Sequence, residues 1–235
     1  MQRQILFIQG AGESVHDTWD DKLVASLERE LGDAYAVVYP RMPDEADPRY
    51  TVWKAALLKE LARLDAGAIL VGHSIGGAFL IHALAEQQPK RKFGALFLLA
   101  APFIGDGGWP SEEIDARSDL AASLPAELPI ILYHGTDDTT VPFAHVKLYA
   151  KAIPRAIVRA LPNRDHQLCN DLRDVAQDIE SPGIRKRLTS PVDEPTGWSR
   201  LLQKRFLAIA RRAGVDLLCE LRTVPGRRAR TTLQR

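Results

Sequence analysis

Cysteine is scarce in this chain, with only two among 235 residues. Cys169 and Cys219 have neither the spacing of a metal-binding motif nor that of a redox pair, so the sequence predicts free thiols and excludes a disulfide framework. No apolar run approaches the roughly 20 residues that cross a bilayer. The apolar run at residues 5–8 is too short for a signal-peptide core. From these absences we expect a cytoplasmic protein.

Cofactor motifs are also missing. The loop Gly10-Ala11-Gly12 is not a dinucleotide fingerprint, because position 15 is Val15 rather than glycine. His73 and His134 invite a metal interpretation, but no third ligand has suitable spacing. We therefore expect packing roles for both histidines, no metal and no cofactor.

The net charge of +1 hides an asymmetry along the chain. Residues 1–180 hold 18 Lys and Arg against 26 Asp and Glu, whereas residues 181–235 hold 13 against 4. A change of sign this large marks a boundary. The sequence thus predicts an α/β domain over residues 1–180 and a basic C-terminal extension, partly helical or disordered, over residues 181–235.

The role of the extension stays open. It contains a basic amphipathic stretch at residues 198–212, which suits contact with a partner or an anionic surface such as a membrane or nucleic acid. It is also compatible with no function, or with sequence beyond the natural end of the domain. We expect no nucleic-acid partner for the core. The sequence does not indicate which oligomeric state the protein adopts.

Short β-rich runs alternate with helical patterns over the first 180 residues, which is typical of a mostly parallel sheet covered on both faces. The predicted strands are residues 5–8, 35–39, 68–71, 95–101, 130–133 and 156–161. The predicted helices are residues 17–31, 53–64, 75–87, 143–153 and 170–179. The fold class is therefore a three-layer α/β/α sandwich with about six strands. Residues 105–129 are the only segment that could form a cap over the active site, and this segment is short.

A glycine-framed serine follows the third predicted strand. The sequence Gly72-His73-Ser74-Ile75-Gly76 lies between an apolar run and a helical pattern. In α/β-hydrolases, G-x-S-x-G in this position is the nucleophile elbow, a turn so sharp that glycines are needed where the chain approaches itself. This context predicts Ser74 as a nucleophile.

Two further residue types are needed, since a serine hydroxyl is a poor nucleophile without a base, and the base needs an acid. The fifth strand ends before Asp137 and Asp138, and the sixth ends before His166. All lie at the same sheet edge as Ser74 and follow it in the order acid, then histidine. Spacing favours Asp138 over Asp137 as the acid.

With these residues the chain resembles the small α/β-hydrolases without a large lid, and is most similar to bacterial serine hydrolases related to the retinoblastoma-binding serine hydrolase. The resemblance covers about residues 4–180 and implies Ser74 as nucleophile, Asp138 as acid and His166 as base. It is carried by Met42-Pro43-Asp44, Tyr50 and Trp53, residues 72–77, Ala101-Pro102-Phe103, residues 134–142 and His166-Gln167-Leu168.

An oxyanion hole needs two backbone N–H donors. The amide of Ile75, directly after the nucleophile, is one predicted donor, and the amide of Ala11 in the first loop is the other. The chain departs from its relatives at Gln9, where histidine is common, and at Asp165, where glycine is common. A carboxylate at position 165 can compete for the hydrogen bond of His166.

The predicted activity is hydrolysis of a carboxylic ester or related acyl bond through an acyl-enzyme, with a small acyl substrate. Phe103, Trp109 and Ile114 are candidates for an acyl pocket. His16, with Trp19, either lines the substrate entrance or packs on the first helix. The alternatives are an amidase or thioesterase with the same mechanism, and a non-catalytic interaction protein that uses the basic extension.

Overall fold

The computed structural model describes residues 2–87, 91–115, 117, 119–181 and 184. Six strands form one sheet in the order β2-β1-β3-β4-β5-β6, and every neighbouring pair is parallel. The predicted six-stranded α/β fold is thus confirmed. The strands are β1 Arg3–Ile8, β2 Tyr35–Val38, β3 Ile69–His73, β4 Ala95–Leu99, β5 Ile130–Gly135 and β6 Ile157–Leu161.

Helices connect the strands and cover both faces of the sheet. The described α-helices are α1 Val15–Thr18, α2 Asp20–Leu31, α3 Tyr50–Arg63, α4 Ser74–Glu86, α5 Leu120–Ser123, α6 Ala144–Ala152 and α7 Arg173–Glu180. Short 3-10 helices lie at Gly32–Ala34 and Leu168–Asn170. None of the helices in the described ranges is long and apolar enough to cross a membrane.

Two buried clusters lie on opposite faces of the sheet, because successive side chains of a strand point to opposite sides. Leu6 and Leu70 pack with α3, α4 and α6 in one cluster. Phe7 and Val71 pack with α2 and α7 in the other. The central strands β3, β4 and β5 are buried at every position, as a sheet covered on both faces requires.

The predicted helix at residues 17–31 is broken. Helix α1 ends at Thr18, α2 begins at Asp20, and Trp19 between them is 51% exposed. The break makes Asp20 the first residue of α2, where the helix dipole favours a carboxylate. The apolar periodicity that predicted one helix contains no signal for this break.

Helix α7 ends at Glu180, and the domain boundary predicted there stays a prediction. Ile184, four positions later, is buried in the cluster with α2 and α7. Apart from residues 181 and 184, the basic extension lies outside the described residues. Its predicted form and role stay predictions.

Candidate active site

The turn from β3 into α4 places Ser74 at the carboxyl edge of the sheet. Ser74 has a φ of 51°, a left-handed conformation that non-glycine residues rarely adopt. A Cβ on Gly72 would lie 2.5 Å from the Cα of Gly77, and one on Gly76 would lie 2.0 Å from the carbonyl oxygen of Gln9. The glycines are therefore sterically required for the sharp turn that carries Ser74.

Ser74, His166 and Asp138 form a hydrogen-bonded chain. The Nε2 atom of His166 lies 3.0 Å from the Oγ of Ser74, and its Nδ1 atom lies 2.8 Å from the Oδ2 of Asp138. An ionised carboxylate only accepts hydrogen bonds, so Nδ1 carries the proton and Nε2 is left to accept the serine proton. The structure thus brings together the three residues that the sequence predicted.

Asp138 is fixed from both sides. Its Oδ1 atom accepts hydrogen bonds from the amides of Thr140 and Val141, at 2.9 and 2.8 Å. Its Oδ2 atom faces His166 and also lies 3.3 Å from the Nε2 of His134. Burial by itself would raise the pKa of Asp138, but these hydrogen bonds more than offset it and hold the pKa well below its ordinary value. The carboxylate is ionised at neutral pH.

Asp137, the rival acid, points elsewhere. Its side chain is exposed and accepts a hydrogen bond from Thr136, while its amide donates to the carbonyl of Arg164. The loop that holds both aspartates approaches the histidine loop closely, since a Cβ on Gly135 would lie 2.1 Å from the Arg164 carbonyl oxygen. The structure therefore places Asp138, and not Asp137, beside His166.

Asp165 does not take the hydrogen bond of His166. Its exposed carboxylate accepts a hydrogen bond from the amide of Cys169 at 2.8 Å. That contact belongs to a tight turn in which Leu168, Cys169 and Asn170 all have positive φ. Asp165 thus stabilises the turn after His166, and Asp138 is the carboxylate partner of His166.

The first loop is held in place around Ala11. The amide of Gly10 donates to the Oδ2 of Asp20, and the amide of Gly12 donates to the carbonyl of Glu45, both at 2.7 Å. Gln9 is fully buried, accepts a hydrogen bond from the amide of Met42 and donates one to the Glu45 carboxylate. Gln9 therefore braces this loop.

The comparisons with known proteins agree with this geometry. The model of the family described as "Serine hydrolase" matches residues 5–168 of the chain. The chain belongs to the serine hydrolase family. A search of curated proteins found no match to its sequence.

Solved structures show the fold of this serine hydrolase. The ydeN gene product from B. subtilis is 20% identical, with a TM-score of 0.61, over 76% of this chain and 97% of that one. Est1E from Butyrivibrio proteoclasticus is 16% identical, with a TM-score of 0.55, over 80% and 89%. XC6422 from Xanthomonas campestris, described as a serine hydrolase without lid, is 16% identical, with a TM-score of 0.51, over 80% and 84%.

The predicted pocket residues of the hydrolase lie mainly in packed positions. Phe103 and Ile114 are buried, with Phe103 edge-on to Tyr149. Trp109 is half-buried and contacts the ring of His145. An open depression of about 350 Å³ is lined by residues of this loop, including Ile114. Ser74, Asp138 and His166 are not among its lining residues. The role of the predicted pocket residues as an acyl pocket stays a prediction.

His16 lies in α1 and contacts Tyr39, which follows β2. Its ring stacks on Tyr39 with centroids 4.1 Å apart, and its amide donates to the Glu45 carboxylate. Trp19, its proposed companion, is exposed. A role at the substrate entrance stays a prediction.

Sequence reasoning missed the buried pair of Asp20 and His73. Asp20 is fully buried, and its Oδ2 lies 2.9 Å from the Nδ1 of His73. A signal for it existed, because Asp20 shares the apolar face of α2 with Leu23, Val24 and Leu27. A charged residue on a buried helix face needs a partner. In the described part of the chain, no cluster of His, Cys, Asp and Glu could hold a metal ion.

Proposed function

We propose that the protein hydrolyses a carboxylic ester or related acyl bond through an acyl-enzyme. The observation that carries the proposal is the hydrogen-bonded chain from Asp138 through His166 to Ser74, at a strained strand-to-helix turn. Ser74 attacks the acyl carbon while His166 takes its proton. His166 then gives that proton to the leaving group, and activates the water that releases the acid and frees Ser74.

The charge that develops during these steps has partners at the site. The ionised carboxylate of Asp138 stabilises the imidazolium of His166. The substrate oxygen that becomes negative is held by the backbone amides of Ile75 and Ala11. Because Ile75 lies in the first turn of α4, its amide has no acceptor within the helix and points out with the helix dipole.

Carboxylic esters are the favoured substrate class. The thermophilic esterase from Thermogutta terrifontis shares the fold at 16% identity, with a TM-score of 0.59. The stretch between β4 and β5 contains only one helix in its described part, the four-residue α5, and so leaves little material for a cap. A site with little cover suits small or flexible acyl groups. Thioesters and amides follow the same steps, and the test below includes them.

Intact-mass analysis after exposure to a fluorophosphonate probe tests the proposal. We expect one adduct on the wild type, none on Ser74→Ala, and an unchanged adduct on Cys169→Ala. The cysteine variant is the matched control, because its exposed thiol lies three positions from His166. No adduct on folded wild type would refute the acyl-enzyme and favour an interaction protein instead.

Substrate class is then resolved with matched acyl donors. The p-nitrophenyl esters of acetate, butyrate and octanoate vary chain length with one leaving group, and the corresponding thioesters and anilides vary the bond. We expect turnover of the short esters, abolished in Ser74→Ala. Faster turnover of anilides than of esters would assign an amidase.

A further inference from the structure

The pair of Asp20 and His73 lies directly behind the proposed catalytic residues. Both side chains are buried, with 0% and 1% of their surfaces exposed. His73 is the last residue of β3 and immediately precedes Ser74, whereas Asp20 comes from the start of α2. The ring of His73 lies next to that of the proposed base, with the centroids of His73 and His166 5.0 Å apart.

The contacts of His73 define its protons. Its Nε2 atom lies 3.0 Å from the carbonyl oxygen of His166, so Nε2 must donate. Its Nδ1 atom faces the carboxylate of Asp20. That carboxylate also accepts hydrogen bonds from the amide of Gly10 at 2.7 Å and from the Nε2 of Gln167 at 3.2 Å. These two donors favour the ionised form of the carboxylate, and an ionised carboxylate needs a proton on Nδ1, hence an imidazolium at His73.

The electrostatics of the pair agree with this assignment. Burial opposes charge on both groups, but their mutual attraction and hydrogen bonds outweigh it, so that the pKa of His73 is raised and that of Asp20 is lowered. The position of Asp20 at the first turn of α2 acts in the same direction. Asp138 is the other charge that raises the pKa of His73.

We propose that Asp20 and the protonated His73 are positioning residues for acyl transfer, an inference that rests on the proposed function. Through one ion pair they connect three pieces of the site: the loop of Ala11 by way of Gly10, the elbow, and the backbone of His166. A histidine that is held by its own carbonyl keeps its ring in line with Ser74. Gln167 adds a second link from Asp20 to the same loop.

Two neutral double variants test the link to His166. In Asp20→Asn/His73→Gln, the glutamine amide reaches the position of the His73 Nε2 atom, and can donate to the His166 carbonyl. In Asp20→Asn/His73→Asn, the side chain is one methylene shorter and this donor is lost. Neither variant leaves a buried, unpaired charge. The readouts are the rate constant for fluorophosphonate labelling, and kcat and KM for p-nitrophenyl acetate.

We expect kcat and the labelling rate of the glutamine variant to remain within about tenfold of wild type. In the asparagine variant both should fall about 100-fold, because the base is then misplaced. KM should change little in either, because neither residue contacts substrate. Equal rates in the two folded variants would overturn the proposal. His82→Leu is the control for loss of a buried imidazole, since neither of its ring nitrogens has a partner in the described structure, and it should keep wild-type kcat.

Nitrogen-15 NMR of histidine-labelled protein tests the charge state, and requires no variant to be active. Both ring nitrogens of His73 should be protonated at pH 7.5, with the signal assigned in the wild type by through-bond correlation to the backbone of His73. A neutral ring with a proton on Nε2 alone would overturn the ion pair, even if the double variants do not fold. Wild type that is not labelled at Ser74 would instead refute the proposed function, so the two failures are distinguishable.

Discussion

Replacing Asp138 by asparagine should remove most activity while leaving the fold intact. The asparagine oxygen can keep the two hydrogen bonds that Oδ1 accepts from the amides of Thr140 and Val141. Its NH₂ group then faces His166 Nδ1 in place of Oδ2. Because the NH₂ group donates, Nδ1 of His166 must accept, so the ring proton moves to Nε2, which faces Ser74. In that tautomer it cannot act as the base.

The expected loss is about 10⁴-fold in kcat, which corresponds to roughly 5 kcal/mol of barrier. Steady-state hydrolysis of p-nitrophenyl acetate measures it, with thermal unfolding as the check on folding. The matched control is Asp137→Asn, because the neighbouring carboxylate is exposed and bonds only to Thr136 in the described structure. It should retain activity within about threefold. Comparable losses in the two variants, or a fully active Asp138→Asn, would refute the role assigned to this hydrogen bond.

Three further predictions concern stability. Gly76→Ala puts a methyl group 2.0 Å from a carbonyl oxygen at the end of β1, and should lower the free energy of unfolding by about 3 kcal/mol or more. The control Gly32→Ala, with no atom within 4 Å and a φ of 59°, should lower it by only about 1 kcal/mol. Urea unfolding measures both values, and equal losses would contradict the steric argument. Burial lowers the pKa of His82 to about 4 from 6.5, so the unfolded state binds more protons between these values and wild type loses up to about 3 kcal/mol as pH falls from 6.5 to 4. Unfolding at pH 4.5 and 7.5 should show a smaller loss in His82→Leu, and an identical pH dependence would exclude a neutral buried His82. Tyr133→Phe removes hydrogen bonds to Asp178 and to the backbone of α7, and should lower the free energy of unfolding by about 1 to 2 kcal/mol; an unchanged urea midpoint would show that these bonds contribute nothing.

The sequence predicted the sheet because its strands are apolar at nearly every position, and this pattern depends on local residues alone. It also indicated Ser74, Asp138 and His166, since each follows a parallel strand and parallel strands end at one edge. Strand and helix bounds shift by a few residues, as at β4, which ends at Leu99 rather than at Ala101. Such ends depend on hydrogen bonds that periodicity does not describe.

The features that were missed depend on contacts between distant parts of the chain. Asp20 and His73 are 53 positions apart, and nothing local to either indicates the other. The break at Trp19 has the same origin, because it accompanies the burial of Asp20 against Gly10 and His73. Likewise, His16 and Tyr39 are 23 positions apart, and nothing local to either predicts that their rings stack. A charged residue on an apolar helix face is the general signal that such a partner exists.

The position of β6 at the edge of the sheet has a consequence for synthesis. The strand order places it last in the chain and outermost in space, and His166 follows it. A ribosome that has made about 150 residues has therefore produced the proposed nucleophile and acid, but not the proposed base. We therefore expect Ser74 to stay unreactive until the final strand has joined β5. The onset of hydrolysis in a refolding or translation experiment should then report the completion of the sheet rather than its nucleation.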